Sequence, residues 1–191
     1  MAHSRGTLSA IVPAERTREI EYAIRDISVE ADKLKRKGIK VLPLNIGDPL
    51  KYDFQTPCHM IEAVYKAMLD QQNGYSSSIG IDAGVEAIQR EAQRKGIKNI
   101  LSIFTSTGAS EAIELALTAL ANPGDNVLMP YPGYPLYTAV MQKLQAVIRP
   151  YYLDEEHDWQ PDVADIEAKI DARTKAICLI NPNNPTGALY R

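Results

Sequence analysis

Between residues 100 and 180 the chain alternates short apolar, β-rich runs with segments of helical pattern, and no other feature limits its fold so strongly. Runs at 100–105, 126–129, 146–153 and 175–180 read as strands, and segments at 109–121, 134–144 and 162–170 read as helices. Strands that alternate with helices pair in parallel, because each helix provides the crossover that a parallel pair needs. The expected architecture is α/β, a mostly parallel sheet with helices on both faces. Ala176-Ile177-Cys178-Leu179-Ile180 is continuously apolar, as a strand covered on both faces would be, and Cys178 within it reads as a packed core thiol. Such a strand needs a neighbour on each side, so a sequence that stops at Arg191 is expected to be a fragment.

Upstream, Ile20, Ile24, Ile27, Ala31 and Leu34 form one helical stripe, closed by basic residues and Gly38. Residues 39–46 read as a strand entering the turn Gly47-Asp48-Pro49. Thr56-Pro57 reads as a helix start, capping hydroxyl then proline, with the helix running to about 71. Asp82 is the expected cap of the next helix, which ends before Gly96. Composition narrows the partners. With 21 basic and 24 acidic side chains the formal charge is −3, and no basic block points to nucleic acid. No run approaches the ~20 apolar residues of a membrane span, and residues 1–15 lack a secretory apolar stretch. Cys58 and Cys178 stand 120 positions apart and the three histidines are scattered, which suggests neither a disulfide framework nor a zinc site. A cytoplasmic protein is expected.

Ligands of open parallel sheets bind beyond the carboxyl ends of the strands, and three segments there are chemically unusual. Ser106-Thr107-Gly108-Ala109-Ser110-Glu111 joins an apolar run to an apolar helix, a place where free N–H groups and a hydroxyl suit a phosphate. The plainer reading is that Gly108 turns the chain and Ser110 caps a helix. Tyr131-Pro132-Gly133-Tyr134-Pro135 could offer a flat ring to a flat ligand, or simply be a packed loop; tyrosine supplies 10 of the 13 aromatics. Asn181-Pro182-Asn183-Asn184-Pro185-Thr186-Gly187 is the strongest signal. Two Asn-Pro pairs straight after a buried strand constrain the backbone and can aim an amide into the crevice. Tyr131–Pro132 and Asn184–Pro185 are the expected cis peptides.

Five segments in order carry a family likeness: Asn45-Ile46-Gly47-Asp48-Pro49, Tyr75 with Gly80, Thr107-Gly108-Ala109-Ser110-Glu111-Ala112, Tyr131-Pro132-Gly133-Tyr134-Pro135, and the asparagine loop 181–187. The chain resembles the N-terminal half of a class I/II aminotransferase of fold type I, the family that uses pyridoxal 5'-phosphate. Residues 21–26, 158–162 and 181–190 make it most similar to the alanine aminotransferase branch. The resemblance implies an arm and small-domain segment over 1–45 and the N-terminal part of the cofactor-binding large domain over 46–191.

It also implies roles. Gly108, Ala109 and Ser110 would hold the cofactor phosphate, Tyr134 would stack on its ring, and Asn184 would bond the ring's 3-oxygen and help orient the substrate carboxylate. Gly47 would leave room for substrate. Tyr75 would reach the cofactor of a second subunit in a homodimer. The substrates implied are an amino acid and a 2-oxo acid, alanine and 2-oxoglutarate. The Schiff-base lysine of the family lies C-terminal to the asparagine loop, and none of the 11 lysines here follows a serine. These 191 residues alone are therefore expected to be inactive. Alternatives are a non-catalytic half that binds a partner, or a pyridoxal-phosphate enzyme of another reaction type such as a C–S lyase. A nucleotide-binding domain is disfavoured, because neither GxGxxG nor GxxxxGK[ST] occurs.

Overall fold

The computed structural model describes residues 12–18, 23–44 and 47–191. In chain order its helices are α1 (Ala23–Arg36), α2 (Cys58–Leu69), α3 (Asp82–Arg94), α4 (Gly108–Leu120), α5 (Pro135–Lys143) and α6 (Val163–Lys169). Its strands are β1 (Asn126–Tyr131), β2 (Val147–Asp154), β3 (Gln160–Pro161) and β4 (Thr174–Ile177). These divide into two compact units, one combining the chain up to Lys33 with Ile113–Arg191, the other Leu34–Ala112.

In the first unit the strands lie in the order β3-β2-β1-β4. β1 pairs in parallel with β2, from Asn126 opposite Val147 to Tyr131 opposite Tyr152, and in parallel with β4 on its other side. Only the two-residue β3 is antiparallel, against the end of β2. The mostly parallel sheet is present as expected. Side chains of β1 alternate between two cores. Val127 and Met129 pack with Leu117 of α4 and with Val140 and Met141 of α5, whereas Leu128 packs with Tyr151 and Leu153 and with Ile166 of α6. Helices therefore cover both faces. Fully burying one such side chain is worth about 1.5–3 kcal/mol, which makes β1 the strand that the unit is built around.

A polar network closes the amino end of β1. Asn126, only 2% exposed, donates from Nδ2 to Asp171 (2.9 Å) and accepts at Oδ1 from the Thr174 hydroxyl (2.9 Å). The bond from Asn126 first, then one from the Arg173 N–H and the Arg149 charge, hold the Asp171 carboxyl below its usual range. Asp162 caps α6 as a helix start should, its Oδ1 accepting from the N–H groups of Ala164 (2.8 Å) and Asp165 (3.2 Å).

Several local expectations are corrected. β4 is covered on one face only: it pairs with β1 alone among the described residues, its burial alternates, and Ile177 is 42% exposed. Cys178 does pack against the α4–α5 core, and burial pushes its thiol pKa up. Residues 100–105 and the described part of 39–46 are not strands, because a strand exists only where a partner satisfies its backbone, and none among the described residues pairs with them. Residues 45 and 46 lie outside the described set.

Pro57 rather than Thr56 is the N-cap of α2, with extended backbone that keeps it outside the helix, and no side chain caps that end. α2 stops at Leu69, just before Gln71 turns to φ +60°. Ile81 takes the N-cap of α3, leaving Asp82 in its first turn, where its charge suits the helix dipole. α1 ends before Gly38, whose φ of +77° fits the expected stop. Of its apolar stripe, Ile20 lies outside the described residues and Ile27 and Leu34 remain well exposed. No helix among the described residues is long and apolar enough to cross a membrane.

Candidate functional site

β1 and β4 run parallel, so their carboxyl ends open on the same edge of the first unit, and each is followed by one of the unusual loops. After β1 the chain turns through Pro132 and Gly133 to Tyr134, the N-cap of α5, with Pro135 as the first helical residue. Gly133 is demanded by sterics: a Cβ there would overlap the Pro130 carbonyl, which is backbone and has nowhere to go. Tyr134 is half-buried and meets Tyr137 edge-to-face, with ring centroids 6.3 Å apart. A cleft of about 380 Å³ opens beside it, lined among others by Tyr131, Tyr137, Thr138, Ile148 and Ile180. Burial pushes the Tyr137 phenol up to about 12, with smaller contributions from the Cys178 thiol.

The Cys178 N–H donates to the Leu128 carbonyl (2.8 Å), carrying the pairing past β4 toward the asparagine loop. That loop folds on itself. Asn183 N–H donates to the Ala188 carbonyl and Gly187 N–H to the Asn183 carbonyl, both at 2.8 Å, while Asn181 Oδ1 accepts from Tyr190 N–H (3.0 Å). Gly187 supplies the left-handed φ of +74° that closes the turn. Asn184 is exposed, its side chain making no hydrogen bond to the described residues. Tyr131–Pro132 and Asn184–Pro185 are cis as expected, and Asn181–Pro182, which was not singled out, is cis as well.

In the second unit Ala109 and Ser110 are exposed in the first turn of α4. Neither N–H, nor the Ser110 hydroxyl, bonds to a described residue. Ser110 is not the cap: Glu111 turns back to accept from the Thr107 N–H, and that bond holds its carboxyl pKa low. The Gly108 N–H donates to the Ser106 carbonyl (2.8 Å), and φ of +75° explains its glycine. The chain leading into this turn is pinned to the 75–80 loop. Thr105 N–H donates to the Ile79 carbonyl (2.9 Å), and Gly80, at φ +112°, leaves the space that the Thr105 side chain fills. Tyr75 on that loop is fully exposed. Gly47 borders an apolar cleft of about 380 Å³ with Asp48, Pro49, Tyr52 and Phe54, and a Cβ on it would meet nothing within 4 Å.

The sequence profile of aminotransferases of class I and II matches residues 39–191. The chain belongs to that family. Aminotransferases of this class depend on pyridoxal phosphate. The chain is 40% identical over 184 residues to the glutamate-pyruvate aminotransferase AlaA of Escherichia coli, covering 93% of this chain and 45% of that protein. It is 38% identical over 185 residues to an alanine aminotransferase of Mycobacterium bovis, covering 95% and 43%. Among solved structures it superposes on an alanine aminotransferase from Pyrococcus furiosus with a TM-score of 0.88 and 45% identity, over 94% of this chain and 46% of that one. The likeness to an aspartate aminotransferase of Thermus thermophilus is lower, TM-score 0.82 at 28% identity. The chain spans about half the length of the curated relatives it matches.

The residues present fit an aminotransferase cofactor on their own chemistry. The first turn of α4 has donors with no acceptor among the described residues, where an anion would be stabilised by the helix dipole and by direct bonds. Tyr134 is an aromatic ring at a strand end, and Asn184 is an uncommitted amide on the neighbouring loop. Each of these was expected from the sequence; Asn183, the buried residue just before Asn184, was not singled out. The second asparagine before Asn184-Pro185 was the available signal, since neighbours in extended backbone point to opposite sides.

Proposed function

We propose that the whole protein is a pyridoxal-phosphate-dependent transaminase that moves an amino group between alanine and 2-oxoglutarate. The observation that carries the cofactor assignment is the first turn of α4, where Ala109 N–H and the Ser110 hydroxyl are exposed and unspent while Glu111 does the capping. Ala109 N–H and Ser110 would bind the phosphate by charge-assisted hydrogen bonds, and Gly108, whose N–H is held by the Ser106 carbonyl, would border it and turn the chain into the site. Tyr134 would lie against the ring, and Asn184 would donate its amide N–H to the ring's 3-oxygen and contact the substrate carboxylate. When bound, the cofactor supplies an electrophilic carbon for the amino group and a ring that accepts electrons from the substrate's Cα. A neutral amide donor stabilises the deprotonated 3-oxygen without adding a charge, so Asn184 lowers the pH at which the bound chromophore loses its proton. Gly47 leaves space on the substrate side.

Alanine as donor is supported by the names of the two curated relatives, glutamate-pyruvate and alanine aminotransferase. Tyr75, projecting from a loop pinned by Thr105 and Gly80, supports a homodimer in which it reaches the partner's phosphate. We assign the protein to the cytoplasm. The Schiff-base lysine is assigned to none of these 191 residues.

The test is to incubate the full-length protein with alanine and 2-oxoglutarate and to measure pyruvate and glutamate. Equimolar formation of both, dependent on added pyridoxal phosphate, is expected. Pyruvate with ammonia from cysteine, independent of 2-oxoglutarate, would replace this reading with the lyase.

A further inference from the structure

We infer that Asn183 is a positioning residue that fixes Tyr134 and Asn184 relative to one another, an inference that rests on the cofactor site proposed above. Among the described residues Asn126 and Asn183 are the two buried amide side chains. Asn126 serves the far end of the sheet. Asn183 lies at the functional edge, 3% exposed, next in sequence to the exposed Asn184.

Its hydrogen bonds explain why it is buried. Nδ2 carries two protons and spends both, on the Pro132 carbonyl (3.3 Å) and on the Thr186 hydroxyl oxygen (3.0 Å). The first crosses 51 positions of sequence to the loop that carries Tyr134; the second stays in its own loop. The backbone N–H and carbonyl of Asn183 are also paired, with Ala188 and Gly187. Only Oδ1 finds no partner among the described residues.

A buried acceptor left unpaired is a cost that a plain turn would avoid with an apolar residue of similar size. The site therefore keeps asparagine for its donors. Those donors join the loop that carries Tyr134 to the loop that carries Asn184, the side chains assigned to the two parts of the ring. The two neighbours differ in exposure, Asn183 buried and Asn184 exposed. Asn183 never touches the cofactor in this account and acts by restricting where the other two can be.

The test uses the full-length protein and three variants. Asn183→Leu is branched like asparagine and drops both donors, leaving the Pro132 carbonyl without its bond; Asn183→Asp puts a carboxylate against the Pro132 carbonyl; Thr186→Val removes one acceptor. Each is measured for pyridoxal phosphate affinity, inorganic phosphate affinity, and the pH midpoint of the bound cofactor's visible absorbance. In Asn183→Leu the cofactor dissociation constant is expected to rise about tenfold. Inorganic phosphate affinity stays within about twofold, because Ser110 is untouched. The absorbance midpoint moves up, in the direction that Asn184→Ala moves it. Combined with Asn184→Ala, the leucine substitution adds less than about threefold, the signature of a residue acting through another. A structural role would leave the midpoint in place, or weaken phosphate and cofactor alike. If Asn183→Asp does not fold, Thr186→Val carries the same expectation at smaller amplitude. An unmoved midpoint, or a full tenfold effect on top of Asn184→Ala, overturns the inference while leaving the cofactor site standing. Wild-type protein that binds no pyridoxal phosphate overturns both.

Discussion

Replacing Ser110 by alanine separates a cofactor ligand from a helix cap, because the structure has already given the cap to another residue. Glu111 accepts from the Thr107 N–H, Ser106 Oγ donates to the Gly108 carbonyl (3.0 Å), and the Ser110 hydroxyl bonds to none of the described residues. Losing an N-cap costs about 0.5–2 kcal/mol, whereas Ser110→Ala removes no cap and should shift stability by less than about 0.5 kcal/mol. A hydroxyl bonded to a phosphate dianion is worth about 1.5–3 kcal/mol, so the cofactor dissociation constant should rise about 10- to 150-fold. The assay is equilibrium dialysis of pyridoxal phosphate against the full-length variant, with thermal unfolding of the cofactor-free protein measured in parallel. Glu111→Gln serves as the opposite control, with a lower melting temperature and a smaller change in affinity. Ser110→Ala protein that melts early but holds its cofactor as tightly as wild type would refute the reasoning.

Three other substitutions or conditions read the scaffold. Tyr151→Phe removes the bond from its hydroxyl to the Cys178 carbonyl (2.7 Å) inside the sheet's second core and should cost about 1–3 kcal/mol in urea unfolding. Gly133→Ala forces a Cβ onto the Pro130 carbonyl and should destabilise by about 1–3 kcal/mol while weakening cofactor binding, since the loop carrying Tyr134 must move. Burial raises the Tyr137 phenol to about 12 and the Tyr151 phenol further still, so the stability they contribute is whole below pH 10, the unfolded value, and falls as pH rises through 12. Tyrosinate absorbance should accordingly show these two rings ionising together with the loss of circular dichroism, and their ionisation near pH 10 in folded protein would contradict the burial argument.

What the sequence revealed and what it concealed divide along a physical line. The apolar run at 126–129, the helix near 162–170 and the stop at Gly38 were legible from local pattern, and the run at 126–129 became a strand because β2 and β4 lie on either side of it. The 100–105 run has the composition of a strand, yet strandedness belongs to a pair, and no partner lies among the described residues. Thr56 and Asp82 have capping side chains, but the last extended residues proved to be Pro57 and Ile81, a one-residue difference that propensity does not resolve. The loops were legible because proline, glycine and asparagine are unusual in such density. Asn183 was not, because its importance comes from a carbonyl 51 residues away.

The central claim is that the full-length protein binds pyridoxal phosphate through the residues proposed above. A crystal structure of the full-length protein with the cofactor bound tests it most directly. The account predicts phosphate oxygens within hydrogen-bond reach of Ala109 N–H and Ser110 Oγ, the ring against Tyr134, and the 3-oxygen accepting from Asn184. A cofactor held elsewhere, or one whose phosphate avoids the α4 terminus, would contradict it.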